Sequence, residues 1–286
     1  MRAIAWQSHA IQGEYKGVEP AKPLCIVCGC FVVPPRNDKL DNQMNILGII
    51  PARFASSRFP GKPLVDIGGK SMIQRVYEQS KKCIHLANVI VATDDQRIYD
   101  HVIGFGGVVV MTAENHQSGT DRCAEVALQH AQYDIIINIQ GDEPYIDPEQ
   151  ISKLASCFNS AETQIATLVK KVQTEQELFN PNTPKVVINK LSEAIYFSRS
   201  TLPHIRGQKE PDWLGQYPFF KHIGIYGYRA DVLQQITKLP ISSLEKAESL
   251  EQLRWIENGY RIKVAETEFE TFAVDRPEDL DKLIFD

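Results

Sequence analysis

The chain has 286 residues, enough for one sizeable α/β core, and carries a net charge of −5. That acidic balance excludes a general nucleic-acid or anionic-membrane binder. No apolar run is as long as the ~18 residues that a membrane-spanning helix needs, and scattered Cys83, Cys123 and Cys157 fit small core residues in a reducing cytoplasm.

Residues 1–43 differ from the rest. Cys25, Cys28 and Cys30 cluster in LCIVCGCFVVPP, but a metal site needs a fourth ligand and only His9 is near. The apolar stretch is too short and too far from the N-terminus for a signal peptide. Met44 stands directly before the first clear strand. The expectation is that translation starts at Met44 and that residues 1–43 are an extension outside the fold. An intact mass of the native protein that includes Met1 would overturn it.

From Met44 the pattern alternates. NILGIIP is a continuous apolar run of buried-strand type. The loop after it holds Arg53, Arg58 and Lys62 and no acid. Gly61 allows close backbone approach, and Pro60 and Pro63 stiffen the turn. A strand running into such a loop is the layout that holds a triphosphate; the other reading is a solvated basic turn. After Gly68-Gly69, an amphipathic helix carries Met72, Ile73, Val76 and Tyr77 on one face. NVIVATD is a strand, DQRIYDHVIGFGG a helix stopped by glycines, VVVMT a strand and GTDRCAEVALQHA a helix. DIIINIQGDEP is the most apolar strand, and Asp147-Pro148 opens the next helix. This alternation predicts an α/β fold, with a mostly parallel sheet covered by helices on both faces.

The second half reads differently. IATLVKKV, KVVINK, EAIYFSRS and HIGIYGYR are β-rich with few helices between them, which suggests antiparallel strands. Residues 202–220 read as a long loop, a common place for function. SSLEKAESLEQLRWIENG predicts one strong helix, capped by Ser242 with Glu245 and ended by Gly259. YRIKVAET and TFAVD predict late strands, and RPEDLDKLIFD a terminal helix.

Ligands of open α/β sheets bind at the carboxyl ends of the parallel strands. Those ends carry the cationic loop, Thr93-Asp94-Asp95 and Gln140-Gly141-Asp142-Glu143. Carboxylates beside a triphosphate suggest Mg²⁺. Asp142 is the better metal candidate, against a turn-forming role; Asp275 reads equally as a ligand or a helix N-cap, and Asp94 and Asp95 as caps of the following helix. NHQSGTDR opens a helix that either receives an anion or base or is plainly capped. His222 and Tyr226, four apart in a strand, share a face, for a ligand or for sheet packing. No G-x-G-x-x-G follows the first strand, so a dinucleotide-dependent dehydrogenase is not indicated.

IIPARFASSRFPGKPL, VIVATDD, HQSGTDRCAEV, NIQGDEP, YFSRS, HIGIYGYR, SLEQLRWIENG and VDRPEDL stand in one order. From Met44 to the C-terminus the chain resembles the 3-deoxy-manno-octulosonate (Kdo) cytidylyltransferases, the CMP-Kdo synthetases of lipopolysaccharide synthesis. The resemblance implies a Rossmann-like nucleotidyltransferase sheet with an antiparallel, β-rich sugar-binding and dimerisation lobe. One domain would then span 44–286, with the lobe inserted around 180–230. It implies a cytoplasmic homodimer that couples CTP to Kdo and releases pyrophosphate, with neither nucleic acid nor membrane as partner. It implies that Arg53, Arg58 and Lys62 hold the CTP phosphates, with Arg58, Lys62 and Asp142 as catalytic residues. Ser118, Gly119 and Gln140 would contact the cytidine, and Asp142 and Asp275 would hold Mg²⁺. Arg199, His222, Tyr226, Glu251 and Gln252 would line the Kdo site, with Arg199 the candidate for the sugar carboxylate.

Overall fold

The structure is a computed structural model that describes residues 44–55, 59–270 and 272–283. Cys25, Cys28, Cys30 and Arg58 lie outside these residues.

Strand β1 (Ile46–Ala52) leads through a two-residue ladder, β2 (Asp66–Ile67) with β3 (Lys70–Ser71), into helix α1 (Met72–Lys81). Then come β4 (Asn88–Thr93), α2 (Gln96–Gly104), β5 (Val109–Met111), α3 (Gly119–Gln129), β6 (Ile135–Asn138) and α4 (Pro148–Ser156). The β-rich half follows with β7 (Ile165–Lys171), a short α5 (Glu175–Phe179), β8 (Lys185–Ile188), β9 (Ala194–Ser198), a short α6 (Trp213–Gln216) and β10 (Phe220–Arg229). The chain closes with α7 (Ala230–Ile236), α8 (Ser243–Glu248), α9 (Gln252–Glu257) and β11 (Ile262–Glu266).

The main sheet runs β11-β7-β10-β6-β1-β4-β5. Strands β6, β1, β4 and β5 pair in parallel, and β7 pairs in parallel with β11. Strand β10 enters antiparallel between β6 and β7. Its first residues also pair with β8, which forms an antiparallel hairpin with β9. The fold is therefore the expected α/β class: a mostly parallel sheet with a small antiparallel part.

The period of two in β1 explains its central place. Leu47 and Ile49 face a core built with Cys123 and Val126 of α3, Val232 of α7 and Trp255 of α9. Ile46 and Ile50 face the opposite core, with Ile73 and Val76 of α1, Ile98 of α2 and Leu154 of α4. A strand buried on both faces has no polar position to spare, which is why it reads as a continuous apolar run.

Several expected elements differ. The helix expected over 242–259 is two helices, because Ser249 takes a left-handed conformation (φ 52°) between α8 and α9. That break turns Leu250 into the core at 7% exposure, and burial outweighs helix propensity. The capping box of Ser242 with Glu245 is present as expected. TFAVD forms no strand over its described residues 272–275. Its Val274 is fully buried, and the Val274 N–H donates to the Asp142 carbonyl (2.9 Å), so a loop contact replaces the sheet ladder. The terminal helix is a 3-10 helix over Pro277–Lys282.

Candidate active site

The carboxyl ends of β1, β4 and β6 lie side by side because the three strands are parallel neighbours. The loop after β1 closes on Gly61, which sits at φ 72° with its N–H on the Phe54 carbonyl (2.9 Å). That conformation starts the 3-10 turn Lys62–Leu64 and aims Lys62 back across the sheet. The Lys62 ammonium donates to Asp142 Oδ2 at 2.7 Å and to the Val274 carbonyl at 2.9 Å. Asp275 Oδ1 lies 3.8 Å from the same nitrogen. One cation thus joins the two acids expected to hold Mg²⁺, although the three residues are far apart in sequence.

Asp142 reaches this position because Gly141 lets its loop press on β1. A Cβ at Gly141 would stand 2.8 Å from the Pro51 carbonyl oxygen. The N-cap of the terminal 3-10 helix is Arg276, not Asp275. Of the two readings open for Asp275, capping is therefore not realised.

The N-terminus of α3 borders the same crevice. Ser118 caps it and forms a reciprocal capping box with Asp121. Arg53 donates to the carbonyls of His116 and Ser118, tying the cationic loop to this helix start. Gly119 lies against the ring of Pro51. Gln140 donates to the Gly224 carbonyl (2.9 Å), which ties the end of β6 to β10.

Asp95 caps α2 through the Arg97 N–H. Asp94 does not cap; its Oδ2 accepts from Arg122 at 2.6 Å. Arg122 is fully buried and also donates to Thr112 Oγ1. A buried guanidinium needs a partner charge, and that demand draws Asp94 away from the helix end.

Strand β10 carries the expected sugar residues. His222 lies opposite Val169 near the carboxyl end of β7, and Tyr226 lies opposite Asn138 at the carboxyl end of β6. A register shift separates Ile223 from Tyr226, yet the rings of His222 and Tyr226 are 5.1 Å apart. Thr167 Oγ1 donates to the Ile225 carbonyl (2.8 Å) and lies 3.0 Å from His222 Nε2. A hydroxyl has one proton, so Nε2–H donates to Thr167 and Nδ1 is the acceptor of a neutral ring. Burial pushes the His222 pKa down to about 3. Tyr226 is 7% exposed and packs edge-on against Trp255, 5.1 Å between centroids. Its hydroxyl has no hydrogen-bond partner among the described residues.

Glu251 stands at the N-cap of α9. Its Oε1 accepts from Arg254 (2.8 Å) and its Oε2 from Thr120 Oγ1 (2.7 Å). Burial raises its pKa from the ordinary carboxylate value. The adjacent Gln252 is buried at 5% exposure. Arg199 binds the helix break itself: Nε donates to the Glu248 carbonyl (2.6 Å), Nη2 to Ser249 and Nη1 to Pro181. Among the described residues, three of its five N–H donors are engaged.

Three residues with a structural part in the site are not apparent from spacing. Thr120 and Thr167 place hydroxyls on Glu251 and His222. Lys185 is fully buried and donates to the Asn180 carbonyl (2.8 Å); burial lowers its pKa. The hydroxyl after Ser118-Gly119 is the one available sequence signal for Thr120.

A family model described as Cytidylyltransferase matches residues 47–263. The 3-deoxy-manno-octulosonate cytidylyltransferase of Parabacteroides distasonis is 60% identical over 247 residues, which is 85% of this chain and 98% of the relative. That of Cytophaga hutchinsonii is 54% identical, over 84% of this chain and 97% of the relative. A solved structure of a CMP:2-keto-3-deoxy-manno-octonic acid synthetase complexed with CTP superposes with a TM-score of 0.77 at 44% identity, covering 83% of this chain and 96% of that one. The chain belongs to the cytidylyltransferase family, among the 3-deoxy-manno-octulosonate cytidylyltransferases, and is a nucleotidyltransferase.

Proposed function

We propose that the protein transfers CMP from CTP to Kdo, giving CMP-Kdo and pyrophosphate for lipopolysaccharide synthesis. The observation that carries this reading is the Lys62–Asp142–Asp275 node at the carboxyl ends of the parallel strands. It sits within one crevice with the capped start of α3, and β10 brings His222 toward the same end of the sheet.

The anomeric hydroxyl of Kdo attacks the α-phosphorus of CTP in line, the new C–O–P linkage forms, and the Pα–O bond to pyrophosphate breaks. Such transfers depend on positioning and charge neutralisation rather than covalent help from the protein. Lys62, with Arg53 and Arg58 in the same loop, is assigned to the phosphates, and Ser118, Gly119 and Gln140 to the cytidine. Lys62 and Arg58 neutralise the charge that grows on the leaving pyrophosphate. Arg199 is assigned to the sugar carboxylate, with His222, Tyr226, Glu251 and Gln252 lining the sugar. Neutral His222 offers Nδ1 as an acceptor for a sugar hydroxyl.

The donor set fits Mg²⁺. Asp142 and Asp275 present hard carboxylate oxygens, and the Lys62 ammonium between them supports a locally negative point. No group of three or more metal-binding side chains occurs among the described residues; two carboxylates completed by water and phosphate is a common Mg²⁺ arrangement. When bound by Asp142 and Asp275, Mg²⁺ would supply charge neutralisation for the α-phosphoryl group and would make the attacking hydroxyl easier to deprotonate.

We further assign the active form to a cytoplasmic homodimer with 44–286 as one catalytic domain, the segment around 180–230 serving sugar binding and dimerisation. No described helix is long and apolar enough to cross a membrane. The test is pyrophosphate release with CTP and Mg²⁺, offering Kdo and sialic acid separately. Release with Kdo alone supports the reading; release with sialic acid overturns the sugar half, and CTP binding without release from either overturns the reaction.

A further inference from the structure

Glu251 hangs between two parts of the molecule that sequence keeps 131 positions apart. On one side are α8 and α9: Arg254 holds Glu251 Oε1 and stands 3.2 Å from Glu245 of α8. On the other side is the start of α3, where Thr120 donates to Oε2 at 2.7 Å. Thr120 is 3% exposed, so no water competes for that proton. Ser118 and Gly119 immediately precede it, the first held by Arg53 through its carbonyl and the second seated on Pro51.

We propose that Thr120 is a positioning residue that couples the nucleotide half of the site to the sugar half by holding the Glu251 carboxylate from the start of α3. The inference rests on the proposed function, because it takes Ser118 and Gly119 as cytidine contacts and Glu251 as a sugar contact. A nucleotide that fixes the start of α3 fixes Thr120 with it. The carboxylate is then fixed through a charge-assisted hydrogen bond, the strong kind. Two acceptor sites on each Glu251 oxygen leave room for sugar hydroxyls beside Thr120 and Arg254. Coupling of this type is reciprocal: bound nucleotide tightens the sugar acid, and bound sugar acid tightens the nucleotide by the same factor.

The experiment measures Kdo binding by calorimetry with and without Mg²⁺ and a non-hydrolysable α,β-methylene analogue of CTP. The wild-type protein is expected to bind Kdo about tenfold or more tightly with the analogue present. Thr120→Val keeps the shape and removes the proton; it is expected to bring that factor near one, with CTP binding in the absence of Kdo near its wild-type value, and, because the coupling is reciprocal, to raise about tenfold each KM measured at saturating co-substrate. Thr120→Ser restores both, which loss of helix packing alone would not allow. Where the valine variant does not fold, Thr120→Ala serves in its place. In a Glu251→Gln background, Thr120→Val should add little, because the partner charge is already gone. An unchanged coupling factor in Thr120→Val, or fully additive losses in the double variant, overturns the inference. Wild-type protein that releases no pyrophosphate with Kdo overturns the proposed function instead.

Discussion

Arg199 holds Ser249 by its carbonyl oxygen, at 3.3 Å, and Ser249 is the left-handed residue that separates α8 from α9. The same guanidinium takes the Glu248 carbonyl, and the Arg199 N–H donates to the Glu248 carboxylate at 2.9 Å. The bend that delivers Glu251 to the crevice is therefore clamped by a residue assigned to the sugar. Arg199→Lys keeps the charge but loses the planar fork. It should raise the Kdo KM about tenfold and lower stability by about 1–3 kcal/mol, since main-chain carbonyls lose a charged donor. Steady-state kinetics with each substrate and urea unfolding would check this; a normal Kdo KM and unchanged midpoint would refute the clamp.

Removing the cation between Asp142 and Asp275 tests the phosphate side. Lys62→Met should lower turnover by about 10²–10³. It should also remove the ammonium that joins the two carboxylates, so the Mg²⁺ concentration needed for half activity should fall or hold. Asp142→Asn should cost at least as much turnover and weaken Mg²⁺ dependence. Turnover measured across a Mg²⁺ titration separates the two; near-normal turnover of Asp142→Asn at low Mg²⁺ removes the metal assignment.

Truncating Glu251 to alanine should raise the Kdo KM more than the CTP KM. It leaves Thr120 and Arg254 without their shared acceptor, at a stability cost of about 1–3 kcal/mol. Equal effects on both KM values would count against the sugar assignment.

His222 stays neutral in the folded protein down to about pH 3. An unfolded histidine takes a proton near pH 6.5. The unfolded state therefore binds more protons below that pH, and the contribution of His222 makes the protein less stable as pH falls from about 6.5 toward 3. Between pH 6.5 and 5 the expected loss is about 1–2 kcal/mol. His222→Gln should flatten that slope in urea unfolding; an unchanged slope would show that the ring is solvated enough to titrate normally.

Gly141→Ala should be severe for a methyl group. The added carbon meets a main-chain oxygen, which cannot rotate away. Asp142 must move with the loop, so turnover should drop together with the melting temperature, the latter by the equivalent of about 1–3 kcal/mol.

The parallel half of this fold is legible because its signals are local. Apolar runs end in polar loops, and Asp147-Pro148 caps its helix where expected. The convergence of Lys62 with Asp142 follows from the rule that ligands collect at the carboxyl ends of parallel strands. What the sequence hides is decided by distant partners. Nothing near Asp94 announces that Arg122 will claim it, and nothing in SLEKAESLEQLRW marks Ser249 as left-handed. That residue bends because Leu250 is buried and Arg199, 50 positions away, binds its carbonyl. Thr120 looks like an ordinary first-turn residue until β10 and α9 fold beside it.

Strand β10 runs against its neighbours β6 and β7, so it meets the crevice with its beginning rather than its end. The nucleotide and acceptor halves are thereby written on separate stretches of chain, one leaving the sheet edge and one entering it. On the proposed assignments, substitutions in the first few positions of β10, or in the α8–α9 bend, are expected to change which acid sugar is admitted more than they change the hold on the triphosphate. A single scaffold of this kind can change its acceptor without relearning its donor.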